Sequence, residues 1–302
     1  MSGDHLKIAI TGGSGFVGRD LTASLAAKGH ELVLLSRRPS AEMAGAGLPN
    51  VKTISGDMHD LNSLNEAFCN CDAVAHCAGI NNELGTQTYE RVHVQGSENV
   101  VKACQEQGVS KLVFTSFLKA RPNSGSKYHE SKWRAEEIIR NSELDFVILK
   151  PGVIFAKGDH MVSHMALALK LSPVFALVGG DVSLRPIALR DFTGVLEAAL
   201  IDPRLSKGTF AVLGGEEVKL SEAAKRLASV LHRPVLSIVL PLPFLYFIAR
   251  AMKSVMKEPL LTESQITMIA EGLADALPGE NELPVDLRPA NGFTLNLIEQ
   301  AL

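Results

Sequence analysis

Long runs of any one kind are missing from this sequence. No block of one charge sign occurs among its 30 basic and 33 acidic residues, and the formal net charge is -3. A protein that lives on nucleic-acid phosphates carries a basic face or stripe, so no nucleic-acid partner is expected. Cysteine is scarce. The four present, Cys69, Cys71, Cys77 and Cys104, include a C-x-C but no two pairs at zinc-ligand spacing. They read as small buried thiols in a reducing compartment, with no metal site. No apolar run reaches the ~20 residues of a membrane-spanning helix. Val235–Ala249 comes nearest, but Pro241 and Pro243 interrupt it and Arg250 closes it. The opening MSGDHLKIAI lacks the basic and apolar parts of a secretory signal. A cytoplasmic protein without a transmembrane segment is expected, and Val235–Ala249 stands out as a surface for a membrane or a protein partner. Internal repeats and low-complexity tracts are absent.

Apolar material is plentiful, at 46% of 302 residues with 21% charged, enough to fill a core. The length suggests two lobes. Short β-rich runs alternate with segments of helical spacing. Strands are predicted over Lys7–Thr11, Glu31–Ser36, Val51–Ser55, Ala73–Cys77, Lys111–Ser116 and Phe146–Leu149. Helices are predicted between them over Phe16–Lys28, Leu61–Phe68, Tyr89–Gln107 and Tyr128–Arg140, two of them stopped by Gly29 and Gly108. This alternation requires right-handed crossovers and a parallel sheet covered on both faces. After Pro151 the rhythm loosens. Met161–Lys170, Asp191–Ile201 and Ser221–Leu231, the last capped by Ser221, read as helices, and Gly208–Leu213 as a strand. The expectation is an α/β protein with a Rossmann-type doubly wound sheet over residues 1–153. A smaller, mostly helical substrate lobe over 154–302 is partly interleaved with it.

The segment Thr11-Gly12-Gly13-Ser14-Gly15-Phe16-Val17-Gly18 leaves the first strand and opens the first helix. Gly12 permits the tight turn, Gly15 lets backbone approach a pyrophosphate, and Gly18 lets helix and strand pack closely. The helix start, with Ser14, Phe16 and Val17 around it, offers free N–H groups to phosphate. The second strand ends Ser36-Arg37-Arg38, with no acid before Glu42. Guanidiniums there suit a 2′-phosphate, whereas an acid would suit the bare ribose, so NADP(H) is favoured over NAD(H). Asp57 and Met58, after the third strand, stand where the adenine would lie. Cys77-Ala78-Gly79 ends the fourth strand with side chains small enough for a cofactor to rest on the backbone.

Tyr128 and Lys132 form a Y-x-x-x-K on a predicted helix, so both lie on one face. An ammonium beside a phenol favours the phenolate, which predicts a Tyr128 pKa pulled below its usual ~10. Tyr128 could then exchange a proton with a substrate oxygen while hydride moves to or from nicotinamide. His160 and His164 follow Asp159 at helical spacing without a third metal ligand, and His76 reads as a core or cofactor-facing histidine.

Together, Thr11–Gly18, Cys77–Gly79, Tyr128-His-Glu-Ser-Lys132 and Phe146–Phe155 resemble the extended or atypical short-chain dehydrogenase/reductase superfamily, the NAD-dependent epimerase/dehydratase type. Arg185–Asp191 resembles a second-lobe loop of the same group. Thr115–Leu118 with Ser126–Tyr128 is most similar to the branch containing the dehydrogenase-like accessory subunit of respiratory complex I. The resemblance covers about residues 7–232. It implies that Ser116 hydrogen-bonds the substrate oxygen, that Tyr128 is the acid/base, and that Lys132 holds the nicotinamide ribose. It also implies that Pro151, Gly152 and Val153 flank the nicotinamide, and that homodimers pair through helices beside Val94–Gln107 and Lys132–Asn141. His93 stands where many members carry a proton-relay asparagine, and Ser124 and Ser126 offer hydroxyls rivalling Ser116. The expectation is an NADP(H)-dependent oxidoreductase or epimerase-like enzyme on a small carbonyl or alcohol. The alternatives are a non-catalytic nucleotide-binding assembly protein, as in complex I, or an NADP(H) redox sensor.

Overall fold

The computed structural model describes residues 5–39, 45–255 and 263–302, so Glu42 lies outside the described residues. The chain divides into two compact units. The first comprises residues 1–150, 193–211 and 279–287; the second comprises 151–192, 212–278 and 288–302.

The first unit is built on strands β1 (Lys7–Thr11), β2 (Glu31–Ser36), β3 (Val51–Ser55), β4 (Ala73–His76), β5 (Lys111–Thr115) and β6 (Asp145–Pro151). Helices α1 (Phe16–Ala27), α2 (Leu61–Phe68), α3 (Gly96–Glu106) and α4 (Lys127–Arg140) connect them. β1 to β6 pair in parallel in the order 3-2-1-4-5-6, and strand Gly208–Val212 adds beside β6. This is the doubly wound Rossmann arrangement, in which the strand order reverses between β1 and β4 and leaves a crevice at their carboxyl ends. The central strands are apolar without alternation because both faces are covered: all four residues of β4 are buried, as are four of five in β5. Under α2 and α3 the core packs Leu64, Phe68, Val100 and Cys104 against Leu112, Phe114 and Ile148.

Local chemistry sets the helix starts. Asp60 accepts from the Asn62 N–H to begin α2, and Ser126 accepts from His129 N–H to begin α4. The rival hydroxyls of Ser124 and Ser126 are thus spent on this turn, Ser124 donating to the Ser126 carbonyl at 3.2 Å. The helix expected over Tyr89–Gln107 is interrupted: Glu90–Gln95 is π-helical before α3 proper, a geometry often found at functional sites.

In the second unit, helices Met161–Leu171, Leu220–Val230, Leu242–Val255 and Leu295–Ala301 dominate, with short strand pairs among them. The cap expected from Ser221 comes instead from Asp181, forty residues earlier in the chain. Ser221 is already inside the helix, and Asp181 accepts both its N–H at 2.9 Å and its hydroxyl at 2.7 Å. A single carboxylate offers more acceptors there than a serine does. Two of the four thiols, Cys71 and Cys104, are buried as expected, whereas Cys69 is exposed.

Candidate active site

The crevice at the reversal of strand order is about 220 Å³ and is lined by the ends of β1, β2, β3 and β4. Its floor depends on glycine. Gly12 has φ 73°, and a Cβ there would lie 2.7 Å from the Ala78 nitrogen, so the turn after β1 closes directly onto the end of β4. A Cβ on Gly18 would strike the Gly12 carbonyl. Gly15 donates its N–H to Gly12 O at 2.9 Å and is the N-cap of α1, with no side chain covering the free N–H groups. Those groups and the helix dipole are what a pyrophosphate requires. Ser14 lies on the crevice wall; Phe16 and Val17 are half-buried on the first turn of α1.

Arg37 lines the crevice, whereas Arg38, also exposed, turns its N–H to Ser36 Oγ at 3.3 Å and is not among the lining residues. Asp57 and Met58 line the far side, where Asp57 accepts from His59 N–H at 3.0 Å. The sequence reading did not single out His59, a third lining residue. Burial, and then Arg91 and Arg37, hold its imidazole below its usual pKa against the pull of Asp57. Met58 lies on Gly96 at the start of α3, where a Cβ would come within 2.8 Å of its Cε.

Cys77, Ala78 and Gly79 form the wall at β4. Across it stands Lys132, buried, whose Nζ donates to the Thr115 carbonyl at 3.0 Å and lies 3.2 Å from where a Gly79 Cβ would be. Burial depresses this ammonium to about 8 in spite of Glu136 and Cys77. The same burial pushes the Cys77 thiol up to about 11.

Tyr128, one turn before Lys132, is buried among the rings of Tyr89, His93, Phe117 and His129, with centroids 5.3–5.9 Å away. Here an expectation is overturned. Its phenol is held well above, not below, its ordinary pKa, first by burial and then by Tyr89. The cost of a desolvated phenolate outweighs a lysine whose Nζ is engaged at Thr115.

His93, on the π-helical turn, packs against Tyr128 from the other side. Its Nε2 accepts from Ile80 N–H at 3.1 Å, so Nδ1 carries the proton and donates to Ser131 Oγ at 2.8 Å. Ser131 in turn donates to the Tyr128 carbonyl. His93 is therefore a neutral strut between the β4 loop and α4, its pKa pushed down to about 2, chiefly by burial. His76 is a second strut in the core. It bridges Thr11 Oγ1 at 2.7 Å and Ser97 Oγ at 3.1 Å, and burial pushes it to about 3.

Ser116 is buried, and its hydroxyl donates to Glu136 of α4. Glu136 also contacts Arg140 and, at 3.5 Å, Lys150; Lys150 meets Glu280 at 2.7 Å. This ionic cluster was missed. Its signal lay in the spacing, because Tyr128, Lys132 and Glu136 repeat every four residues along one helix face. Pro151, Gly152 and Val153 belong to the second unit, where Gly152 and Val153 pair with Val212 and Ile187 through their backbones. Among the described residues no group of three metal-ligating side chains occurs; His160 and His164 lie edge to face at 5.7 Å, and the His164 N–H donates to the His160 carbonyl at 3.1 Å.

Comparison with known proteins places this geometry. The model of a family described as NAD(P)H-binding matches residues 12–170. An uncharacterized protein of Mycobacterium tuberculosis is 29% identical over 78% of this chain, and the chain spans only about a quarter (24%) of that relative's length. The mouse mitochondrial NADH dehydrogenase (ubiquinone) 1 alpha subcomplex subunit 9 is 24% identical over 93% of this chain and 76% of its own. Among solved structures, the NADPH-dependent quinone oxidoreductase of Escherichia coli complexed with NADPH superposes with a TM-score of 0.71. It is 18% identical and covers 96% of this chain and 94% of its own. At such identity the superposition speaks for fold alone. Matched by its family model over more than half its length, the chain belongs to the NAD(P)H-binding family and has the fold of the short-chain dehydrogenases/reductases.

Proposed function

We propose that the protein is an NADP(H)-dependent oxidoreductase acting on a small carbonyl or alcohol. The observation that carries this reading is Lys132 Nζ held against the open side of Gly79 at the crevice wall, with Tyr128 one turn away on the same helix. The residues present fit the dinucleotide: a turn that only glycine can make at Gly12, an uncapped start of α1, and a guanidinium at Arg37. When bound, the nicotinamide supplies or accepts the hydride. Arg37, with Arg38 beside it, meets the 2′-phosphate, and Asp57 accepts from the adenine amino group. Lys132 holds the nicotinamide ribose. Tyr128 gives its phenolic proton to the substrate oxygen as the carbonyl carbon becomes an alcohol carbon, or takes it back in the reverse direction. Ser116 orients that oxygen by turning its hydroxyl away from Glu136, which keeps Arg140 and Lys150 as partners.

The test is a calorimetric titration of NADPH, NADP, NADH and NAD into the wild type and Arg37→Ala/Arg38→Ala, followed by a carbonyl screen. NADPH binding that weakens at least tenfold in the double variant, with turnover lost in Tyr128→Phe, supports the reading. Equal NADH affinity refutes the phosphate assignment, and unchanged turnover in Tyr128→Phe removes the acid/base.

A second reading, a nucleotide-holding assembly protein without turnover, draws on the closure of four rings around Tyr128 and on the mouse relative. NADPH binding with no activity toward any carbonyl would favour it.

A further inference from the structure

We infer that His59 is a second, titratable member of the cofactor's 2′-phosphate site, so that NADP(H) binding is coupled to proton uptake by this imidazole. This rests on the proposed NADP(H) reading and deepens it. The placement comes from two turns that leave neighbouring strands. Ser36 of β2 is in register with Ser55 of β3, and just past them the Gly56 N–H donates to the Ser36 carbonyl at 3.0 Å. The chain beyond Ser36 carries Arg37, and the chain beyond Gly56 carries Asp57, Met58 and His59; both turns line the same crevice. The His59 N–H donates to Asp57 Oδ1 at 3.0 Å, which folds the turn back and leaves the imidazole Nε2 3.8 Å from that same oxygen. The side chain is only 15% exposed, so with Ser36 and Arg37 it is crevice wall and not outer surface.

Charge decides what the imidazole does there. Among the described residues, the charged groups that face it are Asp57 beside it, Arg37 from the β2 turn and the exposed Arg91 from the π-helical turn. Asp60, next in the chain, is turned away, its carboxylate accepting from Asn62 N–H and Ser63 Oγ. Partial burial and two guanidiniums against one carboxylate hold the ring neutral near pH 7. A phosphate monoester carries a charge of about −2 at that pH. Placed beside Arg37, such a charge offsets both guanidiniums and favours the imidazolium. Proton and phosphate then favour each other's binding, by the same factor in either direction. The bare ribose of NAD(H) brings no such charge, so the coupling distinguishes the two cofactors. Preference for NADP(H) is greatest below the pKa that His59 has in the complex, and falls as pH rises through it.

The test is calorimetric titration of NADPH and NADH into the full chain as wild type, His59→Gln and Arg37→Ala, at pH 7 and pH 8.5. The pH 7 titrations are repeated in PIPES and in imidazole, buffers with different heats of protonation. The wild-type ratio of NADPH to NADH affinity should fall about threefold from pH 7 to pH 8.5; in His59→Gln it should start lower and stay flat. Lys132 titrates in the same range, but the ribose it holds is common to both cofactors, so its effect cancels in the ratio. At pH 7 the wild-type NADPH heat should depend on the buffer more than that of His59→Gln, which lacks the extra proton uptake. NADH affinity should be unchanged in His59→Gln. A wild-type ratio in His59→Gln at both pH values, or equal buffer dependence, would overturn the inference while loss of NADPH preference in Arg37→Ala left the phosphate reading standing. Equal loss of NADPH and NADH affinity in His59→Gln would assign the residue to the part of the site both cofactors share, and also overturn it. A wild-type ratio near one, untouched by Arg37→Ala, would refute the phosphate reading itself and this inference with it.

Discussion

Ser116 donates its hydroxyl hydrogen to Glu136, a carboxylate with no exposed surface that is itself held by Arg140 and Lys150. The residue that the family resemblance assigns to the substrate oxygen is therefore anchored to an ionic cluster in the first unit. Burial holds the Glu136 carboxyl above the usual carboxylate range, and Lys150, Ser116 and Arg140 draw it only part of the way back.

Removing the carboxylate should cost far more than neutralising it in place. Glu136→Ala leaves Lys150 and Arg140 short of a partner in a buried setting, and a loss of ~3–5 kcal/mol is expected. Glu136→Gln keeps an acceptor for Ser116 and should lose markedly less. Urea unfolding of both variants measures the difference. Equal losses would show that shape, not charge, holds the cluster.

Gly18→Ala should abolish nucleotide binding while the sheet persists, because the added methyl drives into the Gly12 carbonyl and opens the turn against Ala78. Gly13→Ala is the control. Its Cβ would come nearest to Cδ2 of the buried Leu34, at 3.1 Å, which needs to give by only a few tenths of an ångström, and a smaller loss is expected. NADPH titration of the two distinguishes a specific steric requirement from general glycine richness.

Acid should destabilise the first unit through its neutral histidines. His76 and His93 have folded pKa values near 3 and 2, against about 6.5 unfolded. Between these limits the unfolded chain binds protons that the folded chain refuses, so their contribution is present above pH ~6.5 and is lost as pH falls toward 3. The maximum slope is about 1.4 kcal/mol per pH unit for each residue. His76→Gln should flatten the stability profile over this window, and denaturation at pH 7, 6 and 5 reads the change. A parallel profile for the variant would show that His76 does not titrate in unfolding.

Much of the first unit was legible because it obeys local rules. Apolar runs too short for helices, each ending in glycine or a polar turn, located the strands to within one or two residues, β6 running two residues past its expected end, and the spacing of Gly12, Gly15 and Gly18 located the crevice. What could not be read was what side chains do once burial removes their water. Tyr128 and Lys132 share a face as their spacing required, yet the depression falls on the lysine and the phenol is raised, because desolvation depends on Tyr89, Phe117 and the sheet around them. Ser221 looked like a cap because serine commonly is one; Asp181, forty residues earlier in the chain, took the position. His93 stood out only by its place in the family pattern, and its role as a strut depends on Ile80 and Ser131; Glu280 had no local signal at all, since its partner Lys150 is distant in sequence.

The first unit is threaded from three separate stretches, 1–150, 193–211 and 279–287, and its last buried ion pair, Lys150 with Glu280, closes only with the third. During synthesis the nucleotide-binding sheet therefore waits for the edge strand Gly208–Val212, and Lys150 waits longer still. Domains that emerge first usually fold first; here the unit begun first stays incomplete until residue 287, and the second unit, whose last stretch is 288–302, is completed only after it. A truncation after residue 150 would therefore yield an open sheet edge and a buried lysine left with Glu136 but without Glu280, rather than a free-standing nucleotide-binding module.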